Sequence, residues 1–115
     1  MYVNTVQPLY AAFKDRGLEV MWVIGESKDG GNPTIQQCQD FVDEKGTTFP
    51  VMRDAHFYQT DANIKRYSPS LPNQYVINAT NMELAYATGG IDNDSEEIVR
   101  QMLGVTKEEW DAAKP

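Results

Sequence analysis

A single thiol, a histidine beside an aspartate, a run of carboxylates and a proline heading an apolar strand are the groups here that could do chemistry. The thiol is Cys38, within Thr34-Ile35-Gln36-Gln37-Cys38-Gln39-Asp40-Phe41-Val42. A thiolate attacks disulfides and binds metals, and it forms near neutral pH only beside a cation or a helix N-terminus. No Lys or Arg lies within a helical turn of Cys38, Asp40 is close in sequence, and Ile35 and Phe41 share its helical face. Packing as a small buried hydrophobe therefore outweighs a redox role. A lone cysteine also makes an internal disulfide or a cysteine-cluster zinc site impossible within these residues.

The other groups fall short of a site by their numbers and spacing. His56 follows Asp54 in a loop. One imidazole and one carboxylate are far from the roughly four ligands of a zinc site, and no Ser or second base completes a triad. Asp92, Asp94, Glu96 and Glu97 lack the alternating ligands, mid-loop Gly and closing Glu of an EF-hand. Helix capping and dipole compensation account for them. Asn78-Ala79-Thr80 fits the N-glycosylation pattern, yet it sits where a short hairpin loop calls for Asn and Thr, so the turn reading wins. No cofactor is implied.

The elements that must position these groups alternate along the chain. Val6, Leu9, Tyr10 and Phe13 follow helical spacing, predicting a helix over Asn4 to Arg16 with Gly17 as its stop. Leu18 to Ile24 is a nearly continuous apolar run, the pattern of a strand buried on both faces. After a Gly/Asn/Pro loop, Thr34 to Lys45 predicts a second helix ending at Gly46, with Ile35, Cys38, Phe41 and Val42 on one face. A short strand is expected over Phe49 to Met52, and Asp61 is a candidate N-cap for a helix carrying Ile64 and Tyr67. Asn73 to Asn78 and Met82 to Thr88 form a hairpin. Asp94-Ser95-Glu96-Glu97 opens a further helix, and Thr106-Lys107-Glu108-Glu109 is a capping box for a last one carrying Trp110. Trp22, Phe49, Tyr75 and Tyr86 read as core or cross-strand packing.

Composition excludes several function classes. A chain of 115 residues corresponds to a single domain able to build one core. The net charge of −7 and the absence of any Lys/Arg cluster argue against a nucleic-acid partner. No apolar run approaches the ~20 residues of a membrane span, and no signal-peptide core is present.

The order of these pieces resembles a known family. Ser70-Leu71-Pro72 leads directly into Asn73-Gln74-Tyr75-Val76-Ile77-Asn78, and a polar turn leads to Glu83-Leu84-Ala85-Tyr86-Ala87-Thr88-Gly89-Gly90. Upstream stand Leu18 to Gly25, then Gly46-Thr47-Thr48-Phe49-Pro50-Val51-Met52-Arg53-Asp54, then Ile64-Lys65-Arg66-Tyr67. Together they are similar to the thioredoxin-like proteins, in particular the redoxin and TlpA-like thiol-disulfide oxidoreductases. The resemblance implies an α/β fold, a mixed sheet flanked by helices, with a cis Leu71-Pro72 bond. Ser70, Leu71 and Pro72 would then bind substrate, the backbone before the proline pairing with an extended thiol or disulfide. Partners of the complete protein would be protein or small-molecule thiols and disulfides.

Two family features are not in this sequence: the central first strand and the Cys-x-x-Cys motif. Counting back from Gly17 by family spacing puts the second redox Cys just before Met1. A truncated chain or mis-assigned start is the simpler expectation. A selenocysteine codon read as a stop is the sharper one, and an in-frame Cys codon upstream would remove it. Within these residues the expectation is therefore an inactive thioredoxin-like protein, with no catalytic residue. The alternatives are a non-enzymatic binding or assembly module using the Pro72 face and, with less in its favour, a peroxiredoxin fragment. Without the central strand, Leu18 to Ile24 and Asn73 to Asn78 would each expose an edge, predicting a homodimer. TlpA-like proteins commonly carry export signals, while a lone cysteine fits reducing and oxidising compartments alike.

Overall fold

Helix α1 spans Tyr2–Phe13 and buries Val3, Leu9 and Phe13 along one side. Pro8 lies inside it. An interior proline removes one helical hydrogen bond and costs about 3 kcal/mol. Burying a large apolar side chain returns roughly 1.5–3 kcal/mol, so the buried stripe outweighs the break. The helix thus starts before the expected Asn4, and its last expected residues, Lys14–Arg16, tighten into a 3-10 turn. Gly17 then takes the left-handed conformation at φ 103°. The Gly17 N–H donates to the Lys14 carbonyl at 3.1 Å and the Leu18 N–H to the Phe13 carbonyl at 3.2 Å, the two bonds of a Schellman stop.

This computed structural model describes residues 2–27, 29–54, 73–89 and 94–115. The expected helix at Asp61 to Tyr67, His56, Asp92, and the proposed substrate-binding Ser70, Leu71 and Pro72 lie outside those residues. The chain divides into two compact units, residues 1–61 with 113–115 and residues 62–112.

The first unit is built on a parallel strand pair. β1 (Trp22–Ile24) and β2 (Val51–Arg53) align Trp22 with Val51, Val23 with Met52 and Ile24 with Arg53. The Trp22 N–H donates to the Pro50 carbonyl at 3.0 Å and the Asp54 N–H to the Ile24 carbonyl at 2.8 Å, extending the ladder. Parallel strands need a long crossover, here α2 (Ile35–Lys45). Thr34 caps α2: its hydroxyl accepts from the Gln37 N–H at 3.1 Å, while the Gln37 amide oxygen accepts from the Thr34 N–H at 2.7 Å. The Gly46 N–H closes the other end on the Val42 carbonyl at 2.8 Å.

Aromatic rings fill the space around Trp22. It stacks on Phe41 of α2 at 5.6 Å and on Phe49 at 6.1 Å, and Phe49 meets Tyr10 of α1 edge-on at 5.7 Å. The side-chain amide of Gln7 donates to the Thr48 hydroxyl and accepts from the Thr48 N–H, both at 2.9 Å, fixing α1 to the segment before β2. The expected two-faced burial of Leu18 to Ile24 is not what forms. Only Trp22–Ile24 is strand, Met21 is 68 % exposed and Val23 is 50 % exposed. The ladder can be no longer than its partner, and β2 has three residues.

The second unit holds the expected hairpin. β3 (Asn73–Asn78) runs antiparallel to β4 (Glu83–Gly89), with a bulge where Ile77 pairs Leu84 and Val76 pairs Tyr86, leaving Ala85 as the extra residue. The Asn78 carboxamide oxygen accepts from the Thr80 N–H at 3.0 Å, and the Asn78 carbonyl accepts from the Met82 N–H at 2.7 Å. Asn78 thus holds the turn, as the turn reading required. Helix α3 (Asp94–Leu103) is tied to β3 by the buried Ser95 hydroxyl, which donates to the Gln74 side-chain oxygen at 2.8 Å. Helix α4 (Lys107–Ala113) buries Trp110 behind the expected capping box, with Thr106 and Glu109 exchanging bonds of 3.1 and 3.2 Å.

Helices and strands alternate, as in a mixed α/β chain. The described strands pair as two ladders, one parallel and one antiparallel, and the single mixed sheet expected from the sequence is not formed among them.

Candidate functional site

Ile35, Cys38, Gln39 and Val42 recur at the i, i+3, i+4, i+7 spacing that puts residues on one side of a helix. On α2 this side runs along β2, and the four residues with Val51, Met52 and Arg53 line a groove of about 350 Å³. The capping box and the Gly46 stop fix both ends of the helical wall. The parallel ladder with β1 fixes the strand wall.

Cys38 is 6 % exposed in that wall, a packing position as its neighbours in sequence predicted. It is the only sulfhydryl in the chain, so the groove holds no partner thiol for disulfide exchange. At the strand end, an Nη of Arg53 donates to the Pro33 carbonyl at 3.3 Å. No ion pair engages Arg53 among the described residues, whereas Arg100 pairs with Glu97 and Lys107 with Asp111. The Gln39 amide donates to Asp43 at 3.0 Å. Among the described residues the groove therefore has aliphatic and sulfur walls, one amide and one guanidinium, with no arrangement for acid–base or nucleophilic catalysis.

Carboxylates elsewhere among the described residues have structural tasks. The Ser27 hydroxyl donates to the Asp29 carboxylate, and the Gly31 N–H donates to the same carboxylate at 3.0 Å. Those bonds, the Ser27 one first, hold the Asp29 pKa below its ordinary value. In the acidic run, the hydrogen bond from Arg100 lowers the Glu97 pKa, and the Trp110 indole N–H donates to Glu96 at 3.3 Å. Among the described residues no group of three His, Cys, Asp or Glu side chains could hold a metal ion. None of the described helices is long and apolar enough to cross a membrane.

Sequence reasoning placed Cys38 correctly and missed the groove. The helical stripe was readable, but Arg53 joins it only through the strand register, which no local pattern encodes. Ser70, Leu71 and Pro72, the substrate-binding residues expected from the sequence, lie outside the described residues. Comparison of the chain with family models, with curated proteins and with solved structures gives no match.

Proposed function

We propose that this chain is a thioredoxin-like domain related to the thiol-disulfide oxidoreductases, and that its 115 residues are silent in thiol–disulfide exchange. The observation that carries the second half is Cys38: one thiol, buried in an apolar wall, without a second thiol to resolve a mixed disulfide. The first half is supported by the element order. A helix, a strand, a helix and a parallel strand precede an antiparallel hairpin and a helix, the order the redoxin and TlpA-like resemblance implies. In that reading Ser70, Leu71 and Pro72 form the surface on which an extended thiol or disulfide substrate of the complete protein lies.

A homodimer belongs to the same reading. Among the described residues β1 has a ladder partner on one side only, and Val23 is half-exposed. An open strand edge with apolar residues recruits another strand, and a second copy supplies one.

The test is an insulin-reduction assay with dithiothreitol, scored against a buffer blank. The expected result is no acceleration. Acceleration that disappears in Cys38→Ser would overturn the silence. The resemblance is tested separately by the ¹³C shifts of Pro72, where a cis Leu71-Pro72 bond is expected and a trans bond would remove the strongest link to the family. A second reading, a non-enzymatic binding module, is favoured by the groove between α2 and β2, which offers binding surface and, among the described residues, no catalytic group.

A further inference from the structure

The geometry points to a ligand class for the groove between α2 and β2: a small aliphatic carboxylate. Its chain lies against Ile35, Cys38, Val42, Val51 and Met52, and its carboxylate meets Arg53. This is independent of any thioredoxin-like relationship, because it uses none of Ser70, Leu71 or Pro72.

Size sets the first limit. At about 350 Å³ the groove sits at the low end of small-ligand clefts, which run roughly 300–1,000 Å³. That suits one short chain rather than a folded partner. Lining chemistry sets the second. Among the described residues the walls are Ile, Val, Val, Met and Cys with the Gln39 amide, and they carry no aromatic ring on which a planar base or sugar could stack, while Trp22, Phe41, Phe49 and Tyr10 contact one another instead.

Charge decides the headgroup. Arg100 and Lys107 are each paired with a carboxylate. Arg53, the cation lining this groove, has no ion pair among the described residues, and its one hydrogen bond there goes to the neutral Pro33 carbonyl. That bond anchors one side of the guanidinium and leaves other N–H groups for a ligand. A guanidinium presents paired N–H donors matched to the two oxygens of a carboxylate, and such charge-assisted bonds are about twice as strong as neutral ones. An uncharged chain of the same length would forfeit that contact.

The experiment is an amide-resolved NMR titration of the full chain with sodium octanoate below its micelle concentration, with 1-octanol as the uncharged control. Shifts are expected at residues 35–42 and 51–53. Arg53→Gln should weaken octanoate by about tenfold or more, as loss of a charge-assisted bond predicts, and Arg53→Lys by less. Octanol should bind more weakly than octanoate. Saturating octanoate should also slow N-ethylmaleimide modification of Cys38 in the wild-type chain, a readout that does not depend on the Arg53 variants folding. The proposal is overturned by absent shifts, by equal affinity for octanol and octanoate, or by Arg53→Gln binding as the wild type. Shifts spread over Met21, Ile77 and Leu84 would mean non-specific adsorption, and binding only of an extended peptide would mean a protein-docking edge; either result rejects the carboxylate site.

Discussion

Thr47 carries its hydroxyl into the interior of the first unit, where the residue is 6 % exposed and the oxygen has no hydrogen-bond partner. A buried hydroxyl without a partner keeps its desolvation cost, on the order of 1–3 kcal/mol. Valine has nearly the same shape without that oxygen, so Thr47→Val is expected to stabilise the protein by about 1 kcal/mol. Urea unfolding should show a higher midpoint at unchanged slope, and a lower midpoint would mean that the hydroxyl is satisfied after all. Met82 is the corresponding backbone case. It holds φ 60° at the hairpin turn, a conformation that costs a side-chain-bearing residue about 1–2 kcal/mol, and its side chain is 75 % exposed. Met82→Gly is expected to gain roughly 0.5–1 kcal/mol after glycine's extra unfolded-state freedom is counted. Met82→Ala should stay near neutral, and a gain there would shift the explanation from the backbone to the exposed side chain. Neither position was legible in the sequence. A positive φ at Met and an orphaned hydroxyl depend on how the loop closes and what packs over it. Cys38 was legible, because its helical neighbours alone predict an apolar side.

Helix ends were the best-read elements. Thr106 with Glu109 announces a capping box in the sequence, and both of its reciprocal bonds form. Gly17, Gly46 and Gly104 each stop a helix in the left-handed region. Thr106→Ala should cost about 1 kcal/mol, the usual worth of a cap, and should loosen the Trp110 burial that α4 provides. A loss of thermal stability without any change in Trp110 emission would separate the cap from the packing. Strand lengths read poorly. The apolar run from Leu18 has the composition of a long buried strand, yet pairing is a property of two segments, and β2 offers only Val51–Arg53. Pro8 shows the same principle in a helix: its local cost was plain, and only the burial of Val3, Leu9 and Phe13 on either side shows why the helix runs through it. The groove escaped for a related reason, since half its wall comes from β2.

At the scale of the whole molecule, alternation of helices and strands was readable, because it follows from periodicity alone. How many strands share a ladder was not, because register between distant segments leaves no local trace. The side of β1 that has no ladder partner among the described residues carries the last expectation about assembly. Sedimentation at micromolar concentration is expected to give a homodimer, and Val23→Lys, which places a charge on the exposed part of that strand, should shift it toward monomer. A wild-type monomer would reject the second copy as the partner of that edge.

The two tryptophans fall one to each compact unit, Trp22 against Phe41 and Phe49 in the first and Trp110 behind the Thr106 cap in the second. The molecule therefore contains its own pair of optical reporters. With Trp110→Phe and Trp22→Phe, emission follows one unit at a time through a denaturant series. Coincident curves would show the 115 residues unfolding as one thermodynamic body, and separated curves would show two that melt on their own terms.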